Sequence, residues 1–211
     1  MSQRALLLID LQNDFCPGGA LAVADGDATL SVANRLIALS QSRGDKVLAS
    51  QDWHPADHGS FAGVQQRVAF EQGLLDGLVQ TWWPVHCVQH SQGAEFHADL
   101  NHRAIDFVVR KGSNPVIDSY SAFFDNGHRQ DTGLHRWLQE NKITQLVILG
   151  LATDYCVKFT VLDALALGYD VTVITDGCRG VNILAVDSDQ AFAAMADAGA
   201  RLMVSDAYCA S

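Results

Sequence analysis

At 211 residues and 48% hydrophobic, the chain can bury one substantial core and is short for two. Charged residues make up 18% of it and only 4 residues are proline, which excludes disorder as the default reading. A formal net charge of −10 leaves no basic stripe for nucleic acid or an anionic membrane, and no apolar run approaches the ~20 residues that span a bilayer.

Five cysteines, at positions 16, 87, 156, 178 and 209, are odd in number, scattered, and contain no CxxC pair. No secretory signal precedes the first strand-like run, so the thiols are expected to be reduced and the chain cytoplasmic.

In chain order, ALLLID (5–10) has the length and continuous hydrophobicity of a buried strand. Leu30, Ala33, Leu36 and Ile37 then share one helical face, with Asp27 placed to cap it. KVLASQD (46–52) is the second strand. From Trp53 to Asp106 the rhythm breaks, with no strong strand pattern and at most a short helix around Glu71–Val79. That interval holds DWHPADHGSF, beginning at Asp52, and WWPVHC (82–87), too aromatic for a linker. The rhythm resumes with the strand DFVVRK (106–111) and a helix marked by Leu134, Trp137 and Leu138. QLVILG (145–150) follows, then a helix marked by Val157, Val161, Leu162 and Leu165 and stopped by Gly168. DVTVITDG (170–177) precedes a last helix with Ser188 as N-cap, Phe192, Met195 and Ala196 on its apolar face, and Gly199 as its stop. RLMVSDA (201–207) closes the series. Strand–helix alternation predicts an α/β fold: a doubly wound, mainly parallel six-stranded sheet with helices on both faces. A single domain is expected over 1–211, with 53–106 a long site-forming insertion between strands two and three.

Ligands of such sheets bind beyond the carboxyl ends of the strands, near the point where strand order reverses. Asp10, Asp52 and Lys111 end the first three strands, and Cys156 lies just past the fourth. Singly, Asp10 could serve a turn, Lys111 could be solvated, and Cys156 could be a small core residue. Together they suit acyl transfer. A helix start and a nearby cation favour a thiolate at Cys156, Asp10 can move its proton, and Lys111 can stabilise the charges. Backbone N–H groups in the turn ATDYC could receive an oxyanion.

Asp52 and His54 share a face in extended backbone, and His86 in the aromatic loop could join them. One carboxylate and two imidazoles suit Zn²⁺, Fe²⁺ or Mn²⁺. The histidines at 90, 97, 102, 128 and 135 sit in polar surroundings and read as surface residues.

IDLQNDFCPGGAL (9–21), SQDWHPADHGSF (50–61), WPVHCVQHSQGAEFH (83–97), RKG (110–112), DSYSAFFDN (118–126) and GLATDYCVKFT (150–160) resemble, in order, the nicotinamidase branch of the isochorismatase-like hydrolases. The resemblance implies catalytic roles for Asp10, Lys111 and Cys156, and metal-ligand roles for Asp52, His54 and His86. His58, or solvent held near Ser60, would complete the shell. It also implies aromatic walls at Phe15 and Trp83, a cis Leu151–Ala152 peptide, and oxyanion donors at Ala152 and Cys156. The implied activity is hydrolysis of nicotinamide, and of pyrazinamide, through a Cys thioester in NAD salvage. One divalent metal is implied, with zinc first and iron or manganese as alternatives. The partner would be a small carboxamide, with no nucleic acid or membrane, and a homo-oligomer stays open. Rivals are isochorismatase proper, an amidohydrolase of carbamoyl amides, a thiol redox sensor, or a non-enzymatic metal- or metabolite-binding protein.

Overall fold

Alanine and aliphatic side chains fill the first strand, β1 (Arg4–Ile9), and every residue from Ala5 to Ile9 is buried. No polar alternation interrupts it because both faces are covered, the signature of a central parallel strand. Its large side chains, Leu6, Leu7, Leu8 and Ile9, each contribute about 1.5–3 kcal/mol on burial.

The computed structural model describes residues 3–211. After β1 come α1 (Ala28–Arg43), β2 (Lys46–Asp52), α2 (Ala62–Gln65), β3 (Gln72–Leu75), β4 (Leu78–Thr81) and β5 (Phe107–Lys111). The second half contains α3 (Leu134–Glu140), β6 (Gln145–Leu151), α4 (Lys158–Ala166), β7 (Asp170–Arg179), α5 (Asp187–Asp197), β8 (Arg201–Met203) and α6 (Ser205–Cys209). Six strands form one sheet in the order β5-β2-β1-β6-β7-β8, and every adjacent pair in it is parallel. The step from β1 to β2 runs one way across the sheet, and the step from β6 to β7 runs the other way. Right-handed crossovers therefore put α1 on one face and α4 on the opposite face. The reversal falls between β1 and β6, which pair from Arg4↔Gln145 to Ile9↔Gly150. No helix among the described residues is long and apolar enough to cross a membrane.

Several local expectations change. Residues 71–79 form no helix: β3 and β4 make an antiparallel hairpin paired Gln72↔Thr81 to Leu75↔Leu78. Asp76 and Gly77 both adopt positive φ, 48° and 82°, the pattern that a two-residue hairpin turn requires. Ser188 does not cap α5, because Val186 holds that position while the Ser188 hydroxyl donates to Asn182 Oδ1 at 2.7 Å. Asp27 does occupy the N-cap position of α1, but its side chain makes no capping hydrogen bond. The last strand ends at Met203, and Ser205–Cys209 turns helical.

At Gly150 the sheet needs a residue without a side chain. Its φ is +135°, and a Cβ there would stand 2.1 Å from the Ile9 carbonyl oxygen and 2.7 Å from the Ile9 nitrogen. Register between β6 and β7 also slips here, from Ile148↔Val173 to Gly150↔Cys178. This close approach draws the end of β6 against the end of β1, where Asp10 follows. Gly150→Ala is expected to destabilise the fold by about 2–4 kcal/mol. Urea denaturation should show a lowered midpoint with an unchanged slope.

Candidate active site

Asp52 closes β2 and pairs in register with Lys111, which closes β5. Asp10 follows β1 with φ 48°, and Cys156 sits in a π-helical turn, Thr153–Val157, between β6 and α4. Cys156 thus lies inside that turn, ahead of α4, and does not open a regular helix. Because β5, β2, β1 and β6 are neighbours, four distant segments deliver four side chains to one edge of the sheet.

Lys111 joins them. It is 2% exposed, which excludes a solvated strand-end charge. Its Nζ lies 2.9 Å from Asp10 Oδ2, 2.6 Å from Asp52 Oδ1 and 3.2 Å from Cys156 Sγ, and donates to the Ser119 carbonyl at 3.0 Å. Ser50, also at the end of β2, donates its hydroxyl to Asp10 Oδ1 at 2.7 Å. Asp10 Oδ2 is ion-paired but accepts no well-angled hydrogen bond. It is therefore the oxygen free to exchange a proton, and Cys156 Sγ and the Asp10 and Asp52 carboxylates lie within 4.8 Å of one another.

Burial works against the Lys111 ammonium, but Asp10, Asp52 and Cys156 outweigh it and hold its pKa well above the ordinary value. Burial raises the Asp10 pKa, with Lys111 opposing and Asp52 reinforcing that rise. Burial likewise pushes the Cys156 thiol well up, aided by the two carboxylates and opposed by Lys111. The helix start and nearby cation that favour a thiolate thus meet an opposing pull, because burial and the two carboxylates favour the protonated sulfur.

Three residues form a second cluster that shares Asp52. His54 Nε2 and His86 Nε2 lie 3.5 and 3.6 Å from Asp52 Oδ2. Each ring's Nδ1 faces a backbone carbonyl at 2.8 Å, Gly112 for His54 and Pro84 for His86. A carbonyl only accepts, so Nδ1 carries the proton and each Nε2 turns a lone pair toward the carboxylate. Such an arrangement repels itself unless a cation lies among the donors. Burial depresses the His54 pKa, yet Asp52, Asp118 and the Gly112 carbonyl more than offset it, and the same negative surroundings would draw a cation to these donors. This N,N,O donor set fits a divalent metal ion. Gly112, with φ +68°, allows the approach, since a Cβ there would meet the His54 ring at 2.4 Å. His58 lies against His54 with ring centroids 4.4 Å apart and planes tilted by 47°. Its Nδ1 accepts from the Ser60 N–H at 3.1 Å, while its buried Nε2 has no hydrogen-bond partner, and His54, His58 and Asp118 form a second donor group.

Phe15 and Trp83 line the same cavity as Asp52, His54, His86, Ala152 and Cys156. The cavity is narrow, about 330 Å³ even counting its open mouth. The Leu151–Ala152 peptide is cis. Over residues 4–207, the chain matches the model of the isochorismatase domain. It belongs to the isochorismatase family.

Within that family the chain is 64% identical to the nicotinamidase of Escherichia coli over 202 residues, covering 96% of this chain and 95% of that one. A nicotinamidase/pyrazinamidase structure from Acinetobacter baumanii superposes with a TM-score of 0.93 at 39% identity, covering 99% of both chains. The pyrazinamidase of Pyrococcus horikoshii, solved in complex with zinc, superposes at 0.79 with 34% identity over 96% of this chain and 99% of that one.

The isochorismatase-family pocket also contains residues to which sequence reasoning gave no role. Tyr120, Tyr155, Asp118, Leu21 and Val181 line it, and Ser50 supports Asp10 beneath it. Asp118 and Tyr120 lie in DSYSAFFDN, whose similarity to the family could have marked them. Tyr155 in GLATDYCVKFT and Leu21 in IDLQNDFCPGGAL carried the same signal, whereas Val181 falls in none of these motifs.

The other thiols lie outside this chemistry. Burial raises Cys16 to about 11 and Cys178 to about 12, and pushes Cys87 well above its ordinary value. A raised thiol pKa keeps the unreactive protonated form through neutral pH. At about pH 8, iodoacetamide followed by peptide mass spectrometry is expected to modify the part-exposed Cys209 before Cys16, Cys87 or Cys178.

Proposed function

We propose that this chain hydrolyses nicotinamide to nicotinate and ammonia, with pyrazinamide as a second substrate, in NAD salvage. The observation that carries this reading is the position of Lys111 Nζ, in contact with Asp10, Asp52 and Cys156 at once. It supports reading Cys156 and Asp10 as a nucleophile–acid pair beside an Asp52, His54 and His86 metal triad at one small aromatic pocket. The E. coli relative and the Acinetobacter structure, both nicotinamidases by name, support the same activity.

In the proposed mechanism, Phe15 and Trp83 hold the flat ring with its carboxamide toward Cys156. Asp10 Oδ2 takes the thiol proton as sulfur attacks the carbonyl carbon, and Lys111 offsets the charge that builds between them. The Ala152 and Cys156 N–H groups receive the oxyanion. Asp10 returns the proton to the departing amine, ammonia leaves, and a thioester remains on Cys156. Asp10 then draws a proton from water as it attacks the thioester, releasing nicotinate and restoring the thiol. A carboxyl group with a raised pKa suits both directions of this transfer.

Asp52, His54 and His86 would hold one divalent ion, for which zinc is our assignment. When bound, the ion supplies a Lewis-acidic contact that orients the ring through its pyridine nitrogen. The metal triad favours this reading over an amidohydrolase of carbamoyl amides. A binding protein would give no reason for Asp10, Lys111 and Cys156 to converge. Soluble substrate and free thiols fit the cytoplasm as the place of action.

Cys156→Ala is expected to abolish ammonia release from nicotinamide while leaving nicotinate binding near that of the unmodified chain. Asp10→Asn should lower kcat by about 10²–10⁴-fold. Clear turnover by the alanine variant would remove Cys156 from its role. Metal analysis should find one zinc per chain, less in His54→Ala and His86→Ala, and chelation should reduce ammonia release in step with metal lost. A metal-free chain with full activity would overturn the role given to the triad.

A further inference from the structure

The pocket that holds Cys156 shares a wall with a much larger groove. Counting open mouths, the pocket offers about 330 Å³ and the groove about 1430 Å³, and only Tyr120 and Tyr155 line both. Tyr155 is the one of the two carried on the same π-helical turn as Cys156. Its ring stands edge-on to Trp83 with centroids 4.7 Å apart and to Tyr120 at 5.3 Å.

Beyond that partition the groove is open and has a mainly apolar lining, with Lys158, Asp187 and Gln190 among its polar residues. Phe70 and Val79 border it on the hairpin side, Phe159 on α4, and Ile183 and Leu184 on the loop after β7, all of them exposed. Buried Asp154 fixes the far wall, because its two carboxylate oxygens accept the Val181 and Asn182 N–H groups at 2.9 and 2.8 Å. Val181 lines the pocket while Ile183 and Leu184 line the groove, so the loop that bounds both is anchored to the turn carrying Cys156.

We infer that Tyr155 is a specificity-determining residue that confines the substrate to a single ring, and that the groove behind it accepts an apolar ring substituent once that side chain is shortened. The substrate class is then a pyridine carboxamide carrying an aryl group. The inference rests on the amide-hydrolase reading of the same pocket. It assigns Tyr155 no part in bond cleavage, only in excluding bulk.

The test compares kcat/KM for nicotinamide and for nicotinamides bearing a phenyl group on the pyridine ring, each read as ammonia release. Tyr155→Ala is expected to shift the ratio toward at least one phenyl compound by about tenfold or more. Tyr155→Phe keeps the ring and should keep the original preference. An unchanged ratio in Tyr155→Ala, or phenyl compounds cleaved by the unmodified chain as well as nicotinamide is, would overturn the inference. Should Tyr155→Ala lose turnover, two further measurements decide. Tyr155→Leu goes through the same assay, and Cys156→Ala with and without Tyr155→Ala is titrated calorimetrically with phenyl-substituted nicotinate. The binding gain should again be about tenfold, and its absence overturns the inference. Failure of the unmodified chain to release ammonia from nicotinamide would instead overturn the underlying activity.

Discussion

A single buried ammonium organises this molecule. Lys111 has no exposed side-chain surface, and burying its charge is tolerable only because two carboxylates meet it at hydrogen-bonding distance. In the proposed mechanism, those carboxylates belong to the catalytic pair and to the metal-binding cluster respectively. The same cation therefore opposes the burial that raises the Asp10 pKa, favours the ionised form of Asp52 and faces the sulfur of Cys156. Removing charge from any one member changes the field felt by the others, so the two clusters are one electrostatic object.

The scaffold around that object is correspondingly over-determined. Gln12 forms a cyclic pair with the Asp52 backbone, donating to its carbonyl at 2.9 Å and accepting from its N–H at 2.9 Å. Asp14, beside Phe15, accepts from the Cys87 N–H at 2.7 Å and so ties one aromatic wall to the loop that carries His86. Asp154 does the same for the loop after β7. Each clamp joins a segment near one functional residue to a segment near another. Rigid neighbours of this kind keep reacting groups within the tolerance that catalysis requires.

Much of this was legible before any coordinates. Continuous apolar runs ending in Asp10, Asp52 and Lys111 announce parallel strands with polar residues at their carboxyl ends, and a parallel sheet collects those ends. What stayed hidden depends on depth and on partners far away in sequence. Nothing local distinguishes a buried Lys111 from a solvated one, and the opposing pulls of Lys111 and the two carboxylates on the Cys156 thiol arise only in the assembled pocket. The β3–β4 hairpin is a different case. Asp76-Gly77 carries a strong turn signal, but the spacing of apolar residues over 71–79 also suits a helical face. Tyr155 lies beside the nucleophile, yet its role as a partition exists only relative to a groove formed by the hairpin and the loop after β7.

The pairing of β1 with β6 has a consequence in time. Arg4 and Gln145 are neighbours in the sheet but 141 positions apart in the chain, and β1 is the sheet's inner strand on the other side as well. During synthesis, β1 waits with one hydrogen-bonding edge open until β6 has been made, because β6 is the strand that pairs there. Closing so long a loop is slow, and the exposed edge invites wrong partners meanwhile. Asp10 and Cys156 meet only when this closure is complete. The chain thus acquires its chemistry as one of the last events of folding, and recovered activity after dilution from denaturant would time the arrival of the second half of the sheet.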